Sequence, residues 1–145
     1  MRRIKILESV GLATSLLLAA PLWRAAQAQI AVIVSSSQTQ SITADQAAEM
    51  FGGSATTWPD GSKVQIVEHG DVVLTQKFYL KLVKKPTTIV RAQWTKLALS
   101  GQALAPKKGA DAAAVKELVK KSPGAIGYID AADLDPSVKE VLRVP

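Results

Sequence analysis

Near its C-terminal end the chain reads Ser122-Pro123-Gly124-Ala125-Ile126-Gly127-Tyr128-Ile129-Asp130, a helix stop that runs directly into a short apolar strand. Lys120 and Lys121 stand where a helix C-terminus favours cations. Pro123 cannot continue the helix, and Gly124 suits the turn that closes it. Ala125 to Ile129 is then short, apolar and ended by Asp130, the pattern of a strand buried on both faces. Gly127 inside it marks a place where another group comes close. A junction of this kind belongs to an α/β architecture, and the rest of the chain can be tested against it.

Working from the other end, Gln29 to Val34 is β-branched and apolar and predicts a central strand, followed by the polar loop Ser35 to Gln40. Thr43 with Gln46 three residues on predicts a capped helix start. That helix carries Ile42, Ala47, Met50 and Phe51 on one face and stops at Gly52-Gly53. Thr57-Trp58-Pro59-Asp60-Gly61-Ser62 is a turn. Lys63 to Val67 alternates like a strand, and Glu68-His69-Gly70-Asp71 is the loop after it. Asp71 is placed to cap a helix from Val72 to Val83. A further helix carries Ile89, Val90, Trp94, Leu97 and Ala98 and ends at Ser100-Gly101. Gln102 to Gly109 reads as a loop. Asp111 caps the next helix, with Val115, Leu118 and Val119 facing inward. After the strand at Ala125, Asp130 to Asp133 is a short helical turn, and Val138, Val141, Leu142 and Val144 form the last strand or strand-helix pair. The expected fold is α/β, a mainly parallel sheet flanked by helices. In such sheets ligands bind beyond the carboxyl ends of the strands.

The first 28 residues stand apart from this pattern. Arg2, Arg3 and Lys5 precede the apolar run Val10 to Leu22, and Ala26-Gln27-Ala28 is a small-x-small cleavage site, the layout of a secretory signal peptide. The Arg2-Arg3 pair lacks the usual twin-arginine context. An uncleaved N-terminal membrane anchor is the alternative. The expected division is therefore residues 1–28 as leader and residues 29–145 as one domain, exported to the periplasm. Of 18 basic and 12 acidic residues, the leader holds Arg2, Arg3, Lys5, Arg24 and Glu8, leaving 14 and 11 in the domain. A net charge of +3 is too small to imply nucleic acid as a partner. The chain has no cysteine, which excludes thiolate metal sites and cysteine catalysis and leaves the core alone to hold the domain.

Few residues carry obvious chemistry. Ser35, Ser36 and Ser37 follow a strand and offer hydroxyl and N–H groups to an oxyanion, or form a solvated loop. His69, the single histidine, is flanked by Glu68 and Asp71, but no nucleophile accompanies it. Lys107 and Lys108 sit in a Pro/Gly loop. Trp58 and Trp94 line either a pocket or the core. No nucleotide loop, zinc pattern or catalytic carboxylate pair occurs, so no metal, cofactor or enzymatic reaction is expected.

Taken in order, Phe51-Gly52-Gly53, Thr56-Thr57-Trp58-Pro59-Asp60-Gly61, Val64 to Val67, Phe78 and Ser122 to Tyr128 resemble the substrate-binding proteins of phosphate ABC transporters. The similarity runs from about Ile30 to Val144 and looks most like short, single-lobe members. It implies one lobe of a periplasmic binding protein type II-like fold, with phosphate or another oxyanion as ligand and transporter membrane subunits as partners. The full-length family closes two lobes around its ligand; this chain supplies one, so a homodimer is one way to complete a cleft. The family's phosphate loop resembles Gly-Ser-Gly-Thr before the helix bearing Phe78. Here that place reads Gly70-Asp71-Val72-Val73-Leu74-Thr75, in which Gly70 and Thr75 keep the chemistry. Asp71 repels a fully ionised phosphate but accepts a proton from a protonated one. The implied contacts are Ser35, Ser36, Ser37, Gly70, Asp71 and Thr75. The alternative is a protein-protein interaction module that kept the lobe and lost the ligand.

Overall fold

Residues 28–145 are described by a computed structural model; the expected signal segment, except for its last residue Ala28, lies outside them. Strand β1 (Ile30–Val34) is buried along its whole length. Helix α1 (Ala44–Gly52) opens on the predicted capping box, Thr43 and Gln46 each bonding the other's backbone, and closes at Gly53 in the left-handed conformation, φ +81°. β2 (Gln65–His69) leads through Asp71 into α2 (Val72–Phe78), which widens into a π-helical turn at Tyr79–Val83. Then come α3 (Thr87–Leu99), β3 (Lys107–Gly109), α4 (Ala112–Lys120), β4 (Ala125–Asp130), a 3-10 turn (Ala131–Asp133) and β5 (Lys139–Val144). Among the described residues no helix is long and apolar enough to cross a membrane.

The five strands form one sheet in the order β3-β2-β4-β1-β5. β2 runs parallel to β3 and β4, whereas β1 runs antiparallel to β4 and β5. Four strands therefore point one way and β1 alone opposes them. The sheet is mixed, and this single reversal decides which loops share an end.

Both faces are covered. On one, Phe51, Trp58, Phe78, Tyr79, Trp94 and Tyr128 pack with Val32, Val34 and Ile66. Phe78 stacks on Tyr128 at 3.9 Å between ring centroids, and Phe51 meets Phe78 edge-on at 4.7 Å. On the other, α4 lays Val115 and Val119 onto Ala31, Ile33, Val67 and Ile129. A Cβ on Gly127 would stand 3.2 Å from side-chain carbons of Val115 and Val119. The close approach expected at this glycine is thus made by a helix of the same chain.

Three local expectations are revised. Glu68 and His69, read as the start of a loop, are the last residues of β2. The segment Gln102 to Gly109, read as a loop, ends in β3, whose parallel ladder to β2 pairs Val67 with Lys107 and His69 with Gly109. Lys107 and Lys108 are consequently exposed residues of a sheet edge, where charge discourages further pairing. The helix expected to run unbroken from Val72 to Val83 changes its pitch at Tyr79 and ends at Lys84 in the left-handed region.

Candidate functional site

The carboxyl ends of β2, β3 and β4 converge on one edge of the sheet, where the loop Gly70-Asp71, the turn Ala110-Asp111 and Asp130 meet. Two helices begin here. A small cleft of about 170 Å³ lies against this edge, lined by Asp71, Val73, Leu74, Lys77, Asp130 and Ala28.

The donors of this edge are largely spent within the protein. Gly70 N–H donates to Gly109 O at 2.7 Å. Asp71 N–H donates to Nδ1 of His69 at 3.0 Å, so that ring nitrogen is an acceptor. Asp71 Oδ1 takes the N–H of Leu74 at 3.0 Å, Asp111 Oδ1 that of Ala114 at 2.8 Å, and Asp130 Oδ1 that of Ala132 at 2.9 Å. Each helical start on this edge is thus neutralised by its own carboxylate. The Thr75 hydroxyl is buried, bonded to His69 O at 3.0 Å and to the Tyr128 hydroxyl at 2.8 Å. On the α2 side the first two helical N–H groups, Val72 and Val73, are left, beneath side chains 63 % and 68 % exposed.

Ser35, Ser36 and Ser37 are elsewhere. Because β1 is reversed, Val34 faces Ile126 at the start of β4, whereas Ile30 faces Asp130 at its end. The serines therefore emerge at the opposite end of the sheet from Gly70, roughly 17 Å of strand away. There Ser35 is buried, its Oγ 2.9 Å from Ser37 Oγ, and Ser36 is exposed. Gln38 and Lys139 brace this loop through Pro123 O and Gln38 O. The structure brings Gly70, Asp71 and Thr75 together but does not bring the serines to them.

Sequence reasoning missed the polar group beneath α3. Glu68, 8 % exposed, accepts from the Tyr79 hydroxyl at 2.9 Å and lies 3.6 Å from Arg91. Burial first, and the Glu68 charge second, raise the Tyr79 phenol well above its ordinary value. Burial pushes Tyr128 up to about 12 against the hydrogen bond from Thr75. A charged residue next to the lone histidine was visible in the sequence; its side-chain direction followed only once β2 was known to extend to His69. Trp94 is core, donating its Nε1 hydrogen to Phe51 O at 2.8 Å, and Trp58 donates likewise to Gly124 O at 3.0 Å.

A scan against protein-family models gives no match, and a search of curated proteins gives none. Solved structures do match. A Clostridium perfringens protein designated a phosphate ABC transporter substrate-binding protein, with phosphate bound, superimposes with a TM-score of 0.61 at 21% identity, covering 79% of this chain and 45% of that one. PstS from Borrelia burgdorferi gives 0.57 at 15% identity over 79% and 47%. An ABC-type phosphate transport receptor from Vibrio cholerae gives 0.51 at 18% over 79% and 46%. At such identities the shared property is the fold. The chain spans less than half the length of these structures, as expected of a single lobe.

Proposed function

We propose that this chain is an exported, non-enzymatic solute-binding domain that captures phosphate or a related oxyanion for an ABC transporter. The carrying observation is the fold itself, shared over 79% of the chain with proteins named as phosphate receptors. The ordered motifs from Phe51 to Tyr128 support the same reading. So does the leader-like composition of residues 1–28, which argues for a periplasmic address with an N-terminal anchor as the alternative. One lobe presents one wall of a cleft, so affinity is modest unless a second copy or another chain supplies the facing wall.

Calorimetric titration of the chain with phosphate and sulfate tests this. A saturable heat with phosphate, and a melting temperature that rises with its concentration, are expected; a ligand at 100 times its Kd stabilises by about 2.7 kcal/mol. Absence of both at millimolar phosphate sinks the reading. Fractionation of cells producing the tagged chain checks the address: a periplasmic product shortened by the leader is expected, and a cytoplasmic full-length product counts against export.

A second reading has its own observation. Asp71, Asp111 and Asp130 occupy the N–H groups that an anion would take, on an edge where Val72 and Val73 are exposed. A lobe so modified suits contact with another protein better than contact with an anion. A null phosphate titration together with a stable complex with another exported protein would favour it.

A further inference from the structure

A cleft of about 340 Å³ opens between α3 and the segment leading into β3. Its walls are mostly apolar: Trp94, Ala98 and Leu99 on the helix, with Thr95 beside them, and Ala105 and Pro106 opposite. Gln65 Nε2 holds the facing segment through Ala105 O at 2.9 Å. Leu99 at the rim is 85 % exposed, which the fold does not require. Glu68 and Arg91 complete the lining.

That carboxylate is incompletely satisfied. Oε1 takes the Tyr79 hydroxyl, but Oε2 has no hydrogen-bond donor: Arg91 Nη2 stands at 3.6 Å, beyond bonding reach. Oε2 is not among the buried side-chain atoms left without a partner, so it keeps contact with solvent where Glu68 lines the cleft and is open to a further donor. The two charged groups also differ in freedom. Glu68 is held by Tyr79 and by burial. The Arg91 side chain is 51 % exposed and makes no side-chain hydrogen bond among the described residues, so it can swing to solvent. An anionic guest would meet a carboxylate that cannot leave; a cationic guest would displace an arginine that can.

We propose that this cleft binds a small organic ammonium, its N–H group on Glu68 Oε2 and its apolar body between Trp94, Leu99 and Pro106. The volume lies at the lower end of small-molecule pockets, which suits a single ring or a short aliphatic chain. The site is independent of the oxyanion reading.

The test is calorimetry with phenethylammonium, using phenylacetate as the counterpart of opposite charge on the same ring. The amine is expected to bind saturably and phenylacetate not. Arg91→Ala, by removing the competing cation, is expected to tighten amine binding several-fold. Glu68→Gln is expected to weaken it by about tenfold or more, the loss of a charged hydrogen-bond partner. Since Glu68→Gln also touches the buried Tyr79, Ala98→Trp serves as a second variant. It fills the cleft from an accessible helix position and is expected to abolish binding with the fold intact by circular dichroism. Preference for phenylacetate, absence of amine binding to the Arg91→Ala protein, or amine binding unchanged by Ala98→Trp would each overturn the proposal.

Discussion

Tyr128 shows how much one side chain of the β4 strand is asked to do. Its ring stacks on Phe78, and its hydroxyl is met by Thr75 at 2.8 Å. Burial holds its proton: the phenol moves from 10.0 to about 12. Between those values the unfolded chain has released a proton that the folded chain retains. Stability is therefore complete below pH 10 and falls as pH rises toward 12, by on the order of 2 kcal/mol for this group. Tyr79, shifted in the same direction, adds to the fall. Urea titrations at pH 8, 10 and 11.5 should show it, and Tyr128→Phe should flatten it; equal slopes for the two proteins would refute the assignment. Gly70 works by absence instead. A Cβ there would lie 2.6 Å from Ala110 O and 3.0 Å from the carbonyl carbon and Cα of the same residue. Gly70→Ala should cost about 1–3 kcal/mol by overpacking, read as a lowered urea midpoint with unchanged slope.

At the scale of elements, the helix starts were the most legible part of the sequence, because caps are local chemistry. Thr43, Asp71 and Asp111 each bond the N–H three residues on, as their identities and the following residues indicate. Thr43→Ala should lower stability by about 1 kcal/mol, measured by denaturant unfolding; a change below a few tenths would mean that the box contributes nothing. Core faces were legible too: Ala47, Met50 and Phe51 on α1 and Val115 and Val119 on α4 are buried as their spacing predicts. What was not legible depends on distant partners. Lys107-Lys108-Gly109 has no strand pattern of its own and is extended because β2 lies beside it. Val72 and Val73 look like core on composition, yet Asp71 starts the helix at an angle that leaves both in solvent. The Glu68–Arg91 contact joins residues 23 positions apart in different elements and leaves no periodic trace.

For the whole molecule, the direction of β1 outweighs any single side chain. Local sequence fixes neither strand direction nor partner, and a mainly parallel sheet places every strand-end loop on one side. The reversal of β1 sends Ser35, Ser36 and Ser37 to the far end, while the four other strands keep the common direction. Six residues that the family resemblance gathers into one site therefore fall into two groups separated by the length of the sheet. The consequence is measurable. Effects of substitutions at sites that share no partner add to within about 0.3–0.5 kcal/mol, whereas residues on one ligand couple more strongly. In a phosphate titration of wild type, Ser36→Ala, Asp71→Ser and the double variant, the two free-energy changes should be additive. Asp71→Ser keeps an oxygen for the Leu74 N–H while removing the repelling charge, so it should raise phosphate affinity if the anion sits at Gly70. A coupling above about 1 kcal/mol would mean that one ligand touches both ends. That is possible only if a second lobe folds the serine loop of one copy against the Asp71 edge of another, and sedimentation of the phosphate-bound protein would then have to show a dimer.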